Sequence, residues 1–341
     1  MRNEELANLL NPNHLHLILL PTENCNFRCT YCYEDFEIGR MEDAIILAIK
    51  ILIEKRLPKL RTLSLSWFGG EPLIAKDIVK ELTGYAQQAA ATSGVVFYSD
   101  MTTNGYTLNK PTFDSLIQLG IRSYQISLDG DESEHDKTRK LVSDKGSFAR
   151  IWSNLLSMKS SEEQFQIVLR VHLHHENFES VKVLLMKINH EFGSDTRFSI
   201  FMKAVGNWGG EKVKEMNLIK SSVDTIAELN TYLDQLGWYL PRTSALSESS
   251  IKACYAALPN SLVIRADGSL AKCTVAFNDE RNRVGKINND GTLSIENQAM
   301  QSFMRGFQSM NATDLHCPIK EMPKKVQVIQ FHKNLELSGV L

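Results

Sequence analysis

Apolar residues recur through the first two thirds of the chain in two alternating rhythms. The run Leu15-His16-Leu17-Ile18-Leu19-Leu20, closed by Pro21, predicts a buried strand with a loop behind it, whereas Asp43 to Leu57 carries its apolar residues at helical spacing. Arg61 to Phe68 reads as a second strand ending in Gly69-Gly70. Further strands are predicted at Val95 to Met101, Arg122 to Leu128, Phe165 to His174 and Phe198 to Ala204, each after a helical segment. Strands that alternate with helices pack as a parallel sheet through right-handed crossovers, so these units predict an α/β fold, a partial (β/α)6 TIM-type barrel. Functional groups then belong beyond the strand C-termini. Cys25, Gly69-Gly70-Glu71-Pro72, Asn104-Gly105 and Ser127-Leu128-Asp129-Gly130 all fall there.

The rhythm changes near residue 245. Ser244 to Ser250 reads as a polar linker, after which Leu262-Val263-Ile264 and Ser269-Leu270-Ala271 flank Asp267-Gly268, and Val284 to Ile287 and Thr292 to Ile295 flank Asp290-Gly291. Both pairs predict β-hairpins. The expected organisation is a barrel over 1–243 and a small α+β domain over 244–341.

A chain of 341 residues with 43% hydrophobic content buries a substantial core, which excludes disordered and fibrous classes. The net charge of −2 and the absence of a long Lys/Arg run point away from nucleic acid and lipid surfaces, and Pro323-Lys324-Lys325 reads as a solvated turn. Leu15 to Pro21 is far shorter than the ~20 residues of a membrane span, and no signal-peptide cleavage pattern accompanies it. A cytoplasmic address is expected. In that reducing compartment six cysteines do not imply three disulfides; clustered thiols point to a metal or to catalysis.

Three of the six, Cys25, Cys29 and Cys32, fall in the loop behind the first strand. Spaced C-x3-C-x2-C, their thiolates can wrap one face of a metal cluster. Zinc in a closed structural site wants a fourth ligand, and the nearest histidines, His14 and His16, are in or before the strand, so zinc fits less well. An iron–sulfur cube on three thiolates leaves one iron open to a non-protein ligand. The two glycines after the second strand permit close approach of backbone carbonyls to an ammonium, Glu71 adds a charged acceptor, and Pro72 suits a first helical turn. A plain helix-start turn would explain the same residues.

Taken together, CNFRCTYC, WFGGEP, TNG, SLDG and the C-x18-C pair with Gly268 five residues before Cys273 resemble the radical S-adenosylmethionine (AdoMet) enzymes, and within them the SPASM/Twitch maturases of peptides and proteins. The resemblance covers nearly the whole chain. It implies that Cys25, Cys29 and Cys32 hold a [4Fe-4S] cluster whose open iron chelates AdoMet, and that a 5′-deoxyadenosyl radical then abstracts hydrogen from substrate. It places Tyr31 at the adenine, Gly69, Gly70, Glu71 and Pro72 at the methionyl ammonium, Ser127 at the ribose and Arg139 at the methionyl carboxylate, with Asn104 a weaker member of the set. A solvated arginine in the charged loop 129–140 is the plain alternative for Arg139.

In the tail, Cys254 and Cys273 bracket the first hairpin and Cys317 could join them. By resemblance such cysteines hold auxiliary clusters, but a full SPASM domain has more of them, so one auxiliary iron–sulfur cluster is expected, with an open fourth site or another ligand such as His316. Sulfatase-maturing members carry an aspartate general base directly after the cysteine that matches Cys273. Here Thr274 stands there, and Asp279 is a conceivable substitute. The N-terminal leader-binding module of many peptide-modifying members is not expected before Cys25.

The resulting expectation is an oxidoreductase that matures a ribosomal peptide or a protein by crosslinking, epimerisation or oxidation. Its partners would be that substrate, an electron donor such as flavodoxin or ferredoxin, and a separate leader-binding protein. The alternatives are the same chemistry on a free amino acid or other small molecule, formylglycine formation, and an iron–sulfur electron carrier, in which Glu71, Ser127 and Arg139 would have no task.

Overall fold

The computed structural model describes residues 9–210, 212–219, 221–238, 253–320 and 322. Six parallel strands form its centre: β1 (His14–Leu19), β2 (Thr62–Trp67), β3 (Val96–Thr103), β4 (Ile121–Leu128), β5 (Gln166–Leu173) and β6 (Phe198–Ala204). They lie side by side in chain order, with β6 at one edge of the sheet, so the barrel does not close. Helices α1 (Asp43–Arg56), α2 (Lys76–Thr92), α3 (Lys110–Gln118), α4 (Glu132–Thr138), α5 (Phe148–Lys159) and α6 (Phe178–Phe192) occupy the crossovers, and α7 (Ser222–Gln235) follows β6.

The strand alternation explains this layering. In β2 the buried positions are Leu63, Leu65 and Trp67, while Thr62, Ser64 and Ser66 take the other face. Trp67 is fixed by a hydrogen bond from its indole nitrogen to Thr83 of α2, 3.1 Å long, and each such fully buried apolar side chain contributes about 1.5–3 kcal/mol. The opposite face of β2 is polar. His16, set aside above as a zinc ligand, bridges Ser261 (3.0 Å) and Ser66 (2.8 Å), and Ser66 donates to Asp100 at 2.6 Å. Burial pushes the His16 imidazole down to about 4.

Both predicted hairpins form. Strands β7 (Ser261–Ile264) and β8 (Ser269–Ala271) turn at Gly268, whose φ of +79° suits glycine, and β9 (Arg283–Ile287) pairs with β10 (Leu293–Ile295). Unforeseen was their attachment. β7 runs parallel to β1, with Leu17 opposite Leu262, so the hairpins continue the barrel sheet into one of ten strands in the order β10-β9-β8-β7-β1-β2-β3-β4-β5-β6. Helices α8 (Asn297–Ser309) and α9 (Ala312–His316) complete this part. The expected linker at Ser244 to Ser250, the boundary at 243/244 and the turn at Pro323-Lys324-Lys325 lie outside the described residues.

Candidate functional site

Beyond the C-terminal ends of the barrel strands lies a cavity of about 210 Å3 whose wall includes Cys25, Cys29 and Cys32 together with Gly69, Gly70, Asn104, Ser127 and Arg139. The loop that carries the thiols is held as a backbone strip. Arg28 N–H donates to the Lys140 carbonyl (2.8 Å), Thr30 N–H to Thr138 (2.9 Å) and Cys32 N–H to Cys29 (3.1 Å), while Phe27 is buried beneath. Burial raises the pKa of all three thiols, and the Arg139 charge works against that rise at Cys29 and Cys32. Buried thiolates therefore need positive charge, which a metal cluster supplies. Among the described residues no three His, Cys, Asp or Glu side chains converge as ligands of a single metal ion; a cube takes each thiolate on a different iron and asks for a wider ring.

Gly69 and Gly70 bring the end of β2 hard against this loop. Gly69 has φ of +113°, and a Cβ at either glycine would collide with the carbonyl oxygen of Thr22 or Asn24. The close approach that the glycines permit is thus to the thiol loop itself. Glu71 departs from expectation. Its carboxylate is fully buried and accepts from Leu73 N–H (3.0 Å), the Thr103 hydroxyl (2.7 Å) and Asn104 N–H (2.7 Å). Burial raises its pKa and these donors oppose the rise. Glu71 therefore faces inward as the cap of the short 3-10 turn Pro72–Ala75 and positions Asn104, instead of offering a carboxylate to the cavity. Pro72 is buried in the same turn. Asn104 reaches the wall and donates to the Asn26 side-chain oxygen at 2.8 Å.

Arg139 is not a solvated arginine: only 6% of it is exposed. One terminal nitrogen donates to the Tyr31 hydroxyl at 2.8 Å and its guanidinium carbon lies 5.6 Å from the centre of the Phe27 ring, yet its Nε is buried with no hydrogen-bond partner. An orphaned buried donor costs roughly 1–3 kcal/mol, so this edge is suited to an anionic ligand. Tyr31 in turn donates to Asp129 at 3.0 Å and lies 3.2 Å from His172. Asp129, fully buried, also accepts from Thr138 (2.8 Å) and pairs with His172 (3.1 Å). Its burial would raise its pKa, but the His172 hydrogen bond and the His172 and Arg139 charges hold it below the usual range. Burial pushes His172 down to about 4, which leaves a neutral imidazole beside a carboxylate at pH 7.

Sequence reasoning did not select Asp129, His172, Glu34, Arg170 or Lys203. Asp129 was in view within SLDG, and the alternation of Arg170 and His172 along an otherwise apolar strand was the signal for those two. Glu34 lines the cavity with one carboxyl oxygen unpartnered; burial, then the Glu23 charge, pushes its pKa up to about 8.

The tail reaches the same cavity through Thr274 and Val275. The Thr274 side chain shares a 2.7 Å hydrogen bond with Tyr255 and its carbonyl accepts from Tyr33 at 2.8 Å. Asp279, the conceivable substitute base, is instead clamped by Arg281 (2.9 Å) and lines a separate polar cleft, so it does not serve this cavity. Cys254, Cys273 and Cys317 do come together: Cys254 N–H donates to Leu315 at 2.8 Å, and the Cys273 thiol, raised to about 11 by burial, also feels the charges of Cys254 and Cys317. Asn282 accepts from Cys273 N–H at 2.8 Å and holds this corner. His316 is exposed on the last turn of α9.

The family model described as "Radical SAM superfamily" matches residues 19–188. Among curated proteins, the cysteine-type anaerobic sulfatase-maturating enzyme of Clostridium novyi is 27% identical over 45% of this chain and 43% of its own length. A GTP 3′,8-cyclase of Haemophilus influenzae is 31% identical over 38% of each protein. The chain thus spans less than half the length of either relative. Among solved structures, AdoMet-bound anSMEcpe superposes with a TM-score of 0.61 at 18% identity over 80% of this chain and 78% of that one. Streptococcus suis SuiB bound to its precursor peptide SuiA gives 0.62 at 15% identity over 94% and 74%. At these identities the structural likeness speaks to the fold.

Proposed function

The chain belongs to the radical SAM superfamily, a class of enzymes, and from that premise we propose that it is a maturase which abstracts hydrogen from a peptide or protein side chain. The observation that carries the reading is one cavity in which three thiols of a single loop face the Gly69-Gly70 wall, Ser127 and the half-partnered Arg139. Cys25, Cys29 and Cys32 would hold the cube, which when bound supplies the electron that cleaves AdoMet. The remaining roles belong to the chain. Arg139 offers its free Nε to the methionyl carboxylate, Ser127 its hydroxyl to the ribose, and Tyr31, pinned by Asp129, an aromatic face to the adenine. Phe27, Phe68, Val205 and Val275 keep water from the reacting carbon.

A peptide substrate is supported by the shared wall: Thr274 and Val275 from the hairpin region meet the barrel residues at the cavity. It is also supported by maturases among the relatives and by neighbours solved with peptides. Formylglycine formation is disfavoured, since Thr274 is bonded to Tyr255 and no tail carboxylate lines the cavity among the described residues. The small-molecule reading keeps the support of the GTP 3′,8-cyclase relatives. Cys254, Cys273 and Cys317 would hold one auxiliary cluster. No helix among the described residues is long and apolar enough to cross a membrane, and a cytoplasmic enzyme served by flavodoxin or ferredoxin is part of the proposal.

The test is turnover by anaerobically reconstituted enzyme with AdoMet, a reductant and the small peptide encoded beside the gene. A changed peptide mass accompanied by 5′-deoxyadenosine is expected. Formation of 5′-deoxyadenosine with change confined to a small-molecule substrate would sink the peptide reading, and no AdoMet cleavage at all would sink both.

A further inference from the structure

Three cationic side chains line the cavity: Arg139, Arg170 and Lys203. The cofactor carboxylate accounts for the first. Arg170 stands on β5 directly opposite Ser127 of β4 and Phe201 of β6, with its guanidinium carbon 5.9 Å from the Phe201 ring centre. Its Nε is buried and has no hydrogen-bond partner, and no ion pair holds it among the described residues. Lys203 follows on β6, opposite His172, at the more exposed rim.

No nearby acid pairs directly with Arg170 among the described residues. Both oxygens of Asp129 are already bonded, one to Tyr31 and His172 and the other to Thr138. Glu34 lines the cavity with one oxygen unpartnered, and no hydrogen bond or ion pair joins it to Arg170 among the described residues. Burial and the repulsion from Arg139 both oppose the charged form of Arg170. Two guanidiniums therefore face one cavity, each with an unmet Nε, and a single methionyl carboxylate can be bidentate to only one of them. Arg170 is half-buried, and its inner Nε, buried without a partner, is completed when a ligand anion reaches it.

We propose that Arg170, assisted by Lys203 at the rim, binds a carboxylate of the substrate, so that the enzyme selects a peptide with an Asp or Glu side chain beside the residue that loses hydrogen. This rests on the peptide reading above and adds to it a charge requirement. The planar fork of Arg170 fixes the carboxylate in two dimensions, which orients the neighbouring C–H bond as a point charge would not.

The experiment uses reconstituted holoenzyme saturated with AdoMet and measures binding of capped pentapeptides with Asp or Glu at the centre against the same peptides with Asn or Gln. Glutarate and glutaramide form a small-molecule pair. A charge-assisted pair predicts that each acid binds about ten- to a hundredfold more tightly than its amide. In Arg170→Gln that ratio should fall to about twofold or less, and Arg170→Lys should recover part of it. A ratio near one in every wild-type pair overturns the proposal without recourse to any variant. An unchanged ratio in Arg170→Gln overturns it as well, as does a tenfold loss of AdoMet affinity, which would place Arg170 on the cofactor. If glutarate is preferred over glutaramide while no peptide binds, the carboxylate site stands and the peptide reading fails.

Discussion

Two sets of three thiols in this molecule reach proximity by opposite routes. Cys25, Cys29 and Cys32 share one loop, and the strip of backbone hydrogen bonds to 138–140 keeps that loop against the barrel. Cys254, Cys273 and Cys317 come from a 3-10 turn, the end of β8 and the end of α9, and meet only because the hairpin closes and α9 returns to Cys254. The first set looks into the cavity with a guanidinium across from it, while the second does not line it and is linked to it only through Thr274, the neighbour of Cys273. Local spacing is enough for a site whose ligands are neighbours in sequence; a site whose ligands are distant inherits its geometry from the sheet. The two should therefore fail differently.

The largest effect is expected in the barrel. Cys25→Ala, Cys29→Ala or Cys32→Ala should each reduce AdoMet cleavage to background and remove one cluster of iron, read by 5′-deoxyadenosine chromatography and iron analysis. Residual iron-independent cleavage would break the comparison at its stronger end. Next, the triple variant of Cys254, Cys273 and Cys317 to Ala should lose about one cluster of iron and the turnover of substrate, while AdoMet cleavage in the barrel persists. Equal iron in this variant and the wild type, by Mössbauer or paramagnetic resonance, would make the tail thiols structural.

Arg139→Ala sharpens the barrel side further. Removing one charge-assisted pair should weaken AdoMet binding about ten- to a hundredfold with iron content unchanged, and an unaltered affinity would leave its orphan Nε unexplained. The smallest effect is on pH dependence. His135 and His172 are pushed by burial to about 4 in the folded barrel, against about 6.5 in the unfolded chain. Between those values the unfolded state binds more protons, so stability should fall as pH drops from about 6.5 towards 4, by at most ~3 kcal/mol per group, and these imidazoles should add no dependence above 6.5. Denaturant unfolding across that range checks it; a flat profile would mean that both rings are as well solvated in the native state as in the unfolded one.

Much of the fold was legible because it is periodic. The burial alternation of β2, the turn at Gly268 and the position of each barrel strand follow from the order of side chains along a few residues. The thiol loop was legible for a similar reason, since three ligands within eight positions need no knowledge of the fold. Glu71 was not. Its residue type and place after β2 suited a ligand acceptor, but Thr103 and the Asn104 amide, brought over by β3, take its oxygens. Arg170 was only half legible, because its alternation with His172 marks a polar face of β5 but gives no sign that this face opens on a cavity.

By itself, the sequence determined the alternation of strands and helices, the two hairpins and the set of thiols in one loop, because each depends on interactions between residues close in the chain. Only the tertiary structure decided that β7 joins β1, that Glu71 turns inward, that Asp279 belongs to another cleft and that Arg139 and Arg170 share a cavity with unmet donors. Burial and the pairing of polar groups depend on which distant segments arrive at a point in space. No local pattern of side chains encodes that arrival.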